Sequence, residues 1–229
     1  LASLQTFNDM GLNIVPGSGL LPAVVPGAFD AWMLLLLKYG TMSLREVLEP
    51  AISIANKGYP LVPNIVNTIN SVEQLFRDEW KSSAEIYLPG GMSPKPGDFF
   101  TNKKMAETYL RIINEAEAKS SDIKEQIQCA RDIWSKGFIA DAIDHFCRNE
   151  EVMDTTESRH KGLLTGDDLA NWSATIEKPC SYDYRNYTVC KTGPWGQGPT
   201  FLQQLALLKG FNLDALDENS PEFVHLVVE

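Results

Sequence analysis

Apolar residues recur at three- and four-residue spacing through most of the chain, the period of helices that bury one face. Residues 29–39 are almost wholly apolar and stop at Gly40, which predicts a helix closed by a left-handed glycine. Its central run, AWMLLLL at 31–37, is far shorter than the ~20 apolar residues of a membrane span and is bracketed by Asp30 and Lys38, so it reads as a buried helix. Ser43 followed by Glu46 forms a capping box that opens a second helix with Leu44, Val47, Leu48, Ala51, Ile52 and Ala55 on one face. Pro50 is expected to kink it and Gly58 to end it. Pro63 suits the first turn of a third helix with Ile65, Ile69, Val72, Leu75 and Phe76 inward.

Beyond a Gly- and Pro-rich loop at 89–100, Thr101 can cap a long amphipathic helix carrying Met105, Tyr109, Ile112 and Ile113. Helical stretches follow at 122–136 and 138–147, divided by Gly137. Thr165 caps a short helix whose Asp167 and Asp168 favour the positive end of its dipole. Convincing strands appear only near the end, at 187–190 and a facing segment at 173–176. The loop TGPWGQGP at 192–199 leads into a helix at 200–209 closed by Gly210. Residues before 29 read as extended, turn-punctuated backbone. Ser220 and Pro221 open a last helix that the chain leaves within a few turns, which predicts a continuation. The expected class is therefore mainly α with a few C-terminal strands: a single domain-sized segment over 1–229, helical over 1–172, with strands, Gly/Pro loop and helices over 173–229.

Composition narrows the partners. With 44% hydrophobic and 22% charged residues the chain resembles ordinary folded proteins, and its formal charge of −10 argues against nucleic acid and anionic membrane surfaces as partners. Leu1 is no initiator Met and no basic region precedes an apolar one, so the beginning of the chain assigns no compartment.

Candidate chemistry is sparse. Cys129, Cys147, Cys180 and Cys190 show no C-x-x-C pair, and a zinc site using His145 and Cys147 is outweighed by plain packing thiols. A Cys180–Cys190 disulfide would need an oxidising compartment. His145, His160 and His225 stand in unrelated contexts without the spacing of a zinc helix. Gly17-Ser18-Gly19 lacks the Lys and helix of a phosphate loop. Asp167 and Asp168 could form an acid–base pair, but helix capping accounts for them. The loop around Trp195 is the most unusual segment, with glycines at 193, 196 and 198 that permit close backbone approach and a Trp expected to be exposed.

Several segments in order resemble the heavy-chain region of γ-glutamyltranspeptidases, members of the N-terminal nucleophile hydrolases. They are AVVPGAFDAW, KYGTMSLREVLEPAISIANKGYPL, KGFIADAI, GLLTGDDLANW and DYRNYTVCKTGPWGQGPTFLQQLALLKGFNL, together covering most of 23–213. The resemblance implies the helical part of the large subunit of a layered αββα fold. It implies a precursor that cuts itself to expose a Thr, whose own amino group is the base for attack on a γ-glutamyl carbonyl. An oxyanion hole of backbone N–H groups stabilises the tetrahedral intermediate. In the family these parts lie in a downstream light chain, and the Arg that grips the substrate carboxylate lies upstream. No catalytic residue, substrate-binding residue or metal ligand is therefore carried over to this chain, and no cofactor is implied. Its implied partners are that light chain and, for the whole enzyme, a γ-glutamyl compound such as glutathione.

One departure is specific: where the family has a Pro-Pro-Pro-Ser-Ser-Gly-Gly-like stretch, this chain has Gly193-Pro194-Trp195-Gly196-Gln197-Gly198-Pro199. That variant resembles bacterial transpeptidase-like proteins and puts γ-glutamyl specificity in doubt more than acyl transfer. Two rivals stand beside the main reading. One is a related acylase acting on a β-lactam side-chain amide or on poly-γ-glutamate; the other is a non-catalytic helical binding module.

Overall fold

The computed structural model describes residues 2–229, which divide into two compact units between Ala174 and Thr175. The first unit contains helices α1 (Leu4–Asp9), α2 (Ala28–Tyr39), α3 (Leu44–Lys57), α4 (Pro63–Asp78), α5 (Lys81–Tyr87), α6 (Lys103–Lys119), α7 (Ile123–Lys136), α8 (Phe138–Asn149) and α9 (Gly166–Asn171). Two antiparallel pairs of two-residue strands accompany them: β1 (Tyr59–Pro60) with β2 (Phe99–Phe100), and β3 (Val152–Met153) with β4 (Arg159–His160).

α7 is the hub, packing against α2, α3, α6, α8 and α9. Ile127 and Ala130 on α7 meet Phe29 and Met33 of α2, Leu44, Leu48 and Ile52 of α3, and Ile112, Ile113 and Ala116 of α6. Phe29 stacks on Trp134 with ring centroids 4.4 Å apart. A smaller core of Leu61, Val66, Ile69 and Leu88 lies under α4 and the following loop.

The capping box predicted at Ser43 is present, and the cap predicted at Thr165 is present as a reciprocal box with Asp168. The Thr165 hydroxyl accepts from Asp168 N–H at 3.3 Å, while Asp168 Oδ2 accepts from Thr165 N–H at 2.9 Å. Thr165→Ala is expected to lower stability by about 1 kcal/mol, read as a shift in urea midpoint at unchanged slope.

Several local expectations are corrected. The opening stretch contains α1, capped by the Ser3 side chain, and α5 follows Trp80 where no helix was expected. α2 buries only Phe29, Asp30 and Met33, leaving Trp32, Leu35 and Tyr39 exposed, because α7 covers one side of it. Gly40 closes α2 in extended backbone (φ −81°), not the left-handed region. Its missing Cβ matters because an added one would lie 2.5 Å from the Leu36 side chain. Gly58 does take positive φ, at 85°, and ends α3, inside which Pro50 sits. On α4 the buried face is Val66 and Ile69, with Ile65 exposed. Asn102 rather than Thr101 caps α6, its Oδ1 accepting from Met105 N–H at 3.0 Å, and Met105 itself is exposed.

The second unit holds the hairpin β5 (Cys180–Tyr184) and β6 (Tyr187–Lys191), then α10 (Gly198–Leu208) and α11 (Pro221–Val228). β6 was expected; its partner is β5, and residues 173–176 form no strand. Arg185 adopts φ 54° in the two-residue turn, which fixes this register. α10 packs on both strands. Among the described residues no helix is long and apolar enough to cross a membrane.

Candidate functional site

The loop at 192–199 connects β6 to α10, and Trp195 at its tip is 87% exposed, as its setting among glycines predicted. Gly196 N–H donates to Gly193 O at 3.2 Å, making a tight turn. The glycines do not act alike. An added Cβ at Gly198 would lie 2.0 Å from Thr192 O, so this glycine lets the two ends of the loop close on each other. Gly193 faces open space. Pro199 occupies the first turn of α10, and the Lys191 ammonium sits 5.2 Å from the centre of the Phe201 ring. The result is a tight turn that presents a large apolar indole outward.

The polar residues singled out in the sequence are not brought together into a catalytic group. Asp168 is occupied by the N–H and hydroxyl of Thr165, and these bonds hold its carboxyl below the usual range, which fits a cap and not a proton shuttle. Gly17 N–H donates to the Thr155 hydroxyl at 3.0 Å, and an added Cβ at Gly19 would lie 2.7 Å from Asp154 Cβ. The Gly-Ser-Gly stretch is therefore where the β3–β4 hairpin docks. His145 lies on α8, His160 on β4 and His225 on α11. No cluster of three or more His, Cys, Asp or Glu suited to a metal occurs among the described residues.

Cys147 is buried, and burial pushes its thiol up, away from nucleophilic ionisation. In the hairpin Ser181 is opposite Cys190 and Cys180 opposite Lys191. Because strand side chains alternate between faces, Cys180 and Cys190 point to opposite sides of the ladder, which removes the disulfide alternative in this fold.

Two polar groupings had no local signal in the sequence. Asp30, on the first turn of α2, accepts from Arg131 Nε at 2.6 Å, from Arg131 Nη2 at 3.1 Å and from Ala174 N–H at 2.7 Å. Burial pushes its pKa up, but the Arg131 and Ala174 hydrogen bonds and the guanidinium charge together hold it below the ordinary value. Around this ion pair, Trp134 Nε1–H donates to Pro26 O at 3.1 Å and the Trp172 ring lies over Gly27. The segment PGAFD is thus clasped from several sides. The second grouping is Asp154 with His160, whose Nδ1 lies 2.7 Å from Asp154 Oδ2.

Comparison with known proteins places this architecture. The family model for γ-glutamyltranspeptidase matches residues 1–229. The chain is 30% identical over 223 residues to the glutathione hydrolase-like YwrD proenzyme of Bacillus subtilis, covering 96% of this chain and 37% of that protein. It superposes on the solved structure of LmbA2991HD with a TM-score of 0.91 at 46% identity, covering 98% of this chain and 38% of that one. The cephalosporin acylase of Bacillus halodurans gives a TM-score of 0.80 at 26% identity, covering 98% and 38%. The chain thus spans little more than a third of the length of these relatives. With the family model matched from end to end and the helical architecture shared, the chain belongs to the γ-glutamyltranspeptidase family.

Proposed function

We propose that this chain is the heavy-chain segment of a γ-glutamyltranspeptidase-like enzyme and is inactive alone, because the nucleophilic Thr lies in a downstream light chain. The observation that carries this reading is the extent of the match. A family model fits all of 1–229, yet these residues correspond to 37% of a proenzyme relative. Within them Asp168 is committed to a helix cap, Asp30 to an ion pair and Asp154 to a hairpin contact, which supports a role as helical scaffold and pocket wall of the large subunit in an αββα fold. The whole enzyme would transfer or hydrolyse a γ-glutamyl group, as the name of its glutathione hydrolase-like relative suggests.

The test compares this chain with the complete open reading frame. The longer protein is expected to cut itself ahead of a Thr and to turn over a γ-glutamyl anilide, and residues 1–229 alone to do neither. Turnover by the segment alone, abolished by a point substitution inside it, would refute the proposal. A natural stop after Glu229 would instead favour the non-catalytic binding module.

The likeness to a cephalosporin acylase, together with the Pro-Trp-Gly-Gln-Gly-Pro departure at 194–199, favours one second reading: the same acyl-transfer chemistry on another amide. Side-by-side rates on a γ-glutamyl anilide, poly-γ-glutamate and a β-lactam side-chain amide separate the two.

A further inference from the structure

A cavity of about 320 Å³ opens where the junction of α4 and α5 meets the end of α8 and β3, and the proposed function leaves it unused. That volume lies at the lower end of small-molecule sites. Its lining is chemically divided: Trp80 and Phe146 supply aromatic surface, Glu79 and Glu150 carboxylates, and Ser82 and Ser83 hydroxyls. Trp80 is fixed in place, because its Nε1–H donates to Met153 O at 2.8 Å and Phe76 stacks on one face of its ring with centroids 5.8 Å apart. The opposite ring face is therefore the one a ligand can meet. Phe146 and Glu150 stand four positions apart at the end of α8, a spacing that sets ring and carboxylate side by side, and both line the cavity.

Charge decides what fits. Arg159 Nε and Nη2 both donate to Glu79 Oε2, at 3.0 and 2.7 Å, while Glu79 Oε1 accepts from no group among the described residues. Glu150 enters no ion pair or side-chain hydrogen bond among the described residues. Lys81, also in the lining, donates from its ammonium to Arg77 O at the end of α4. The Ser82 and Ser83 hydroxyls make no hydrogen bond among the described residues. The cavity thus gathers open acceptors around an aromatic face, and the Glu150 carboxylate is balanced by no cation of the protein.

We propose that this cavity binds a small primary ammonium compound whose apolar body packs on Trp80 and Phe146. An ammonium has three N–H donors and no acceptor, which matches a wall of carboxylates and hydroxyls: Glu150 is the charge partner, and Glu79 Oε1 and a seryl hydroxyl accept the remaining bonds. Attraction of the cation to the open face of the Trp80 ring adds to this pairing. The same two carboxylates repel an anion of equal size.

Phenylethylammonium is the probe, with phenylethanol as its neutral counterpart, each titrated into the intact protein by calorimetry. The ammonium is expected to bind about tenfold more tightly than the alcohol, and Glu150→Gln to weaken it about tenfold, the scale of one hydrogen bond to a charged group. Glu150 is exposed and outside the core, so this variant reads the contact and not the folding. No saturable binding of the ammonium, equal affinity for the two probes, or an affinity unchanged in Glu150→Gln overturns the proposal. Proton–nitrogen spectra of the tryptophan indoles in the wild-type protein locate the site without any variant: the Trp80 signal is expected to move as the ammonium is added, and a response confined to other tryptophans overturns the proposal as well. No γ-glutamyl substrate enters either measurement, so failure here is distinct from failure of the enzyme assignment.

Discussion

Arg131→Met is expected to remove about 3–5 kcal/mol of stability from the unit formed by residues 1–174, the usual cost of stranding one member of a buried ion pair. The Arg131 and Asp30 side chains are 14% and 8% exposed, and the guanidinium supplies two of the three hydrogen bonds that Asp30 accepts. Removing it leaves a carboxylate in the core with only Ala174 N–H as partner. Replacing both residues, Asp30→Leu with Arg131→Met, should recover part of the loss, because no charge is then buried and only that N–H loses its acceptor. Urea unfolding of the three variants measures this, and a loss below about 1 kcal/mol for Arg131→Met would show the pair to be ornamental. The sign with pH follows from the same contact. The folded Asp30 pKa lies below its unfolded value of about 3.9, so its contribution is fully present above that pH and is lost as pH falls toward the folded value. Arg131→Met should flatten that part of the acid limb.

Trp195→Ala is expected to separate function from folding. At 87% exposure the indole contributes little to the packing of this chain, so the change in stability should stay within about 0.5 kcal/mol. The alternative in which Trp195 plugs the core, with a loss of about 3–5 kcal/mol on truncation, does not fit that exposure. If the 192–199 turn is a pocket wall of an acyl-transfer enzyme, the same substitution in the complete precursor should slow self-cleavage or turnover at least about tenfold, or roughly 1.4 kcal/mol of barrier. Paired melts and cleavage assays on one preparation decide the matter. A large fall in melting temperature with normal specific activity in the surviving enzyme rejects the pocket-wall role.

The Ser43 capping box and the Thr165 cap were legible because every atom involved lies within four residues, and hydrogen bonds that local form in nearly any fold. The exposed Trp195 was legible for a related reason: a Gly- and Pro-rich turn leaves a bulky side chain few places to pack. The partner of β6 was misplaced because the facing segment was assigned by β-propensity, whereas the positive φ at Arg185 sets the turn and with it the pairing of 180–184. α5 was missed because it buries no residue and shows no capping side chain, so its sequence carries neither periodicity nor a start signal.

The sequence by itself determined the helical class, most helix boundaries, the position of the hairpin strand β6 and the family, since each rests on local bonding or on collinear segments. Tertiary structure alone decided which face of α2 is buried, that Val66 rather than Ile65 enters the second core, and that Cys180 and Cys190 sit on opposite faces. It also decided the polar pairings. Asp30 meets Arg131 across 101 positions and Ala174 across 144. Asp154 lies only six positions from His160, yet it becomes a buried acceptor because the hairpin docks under Gly19 and Trp80. The physical reason is the same throughout: capping and turn energies act within a few residues, whereas burial and ion pairing depend on which surfaces the packed helices bring together.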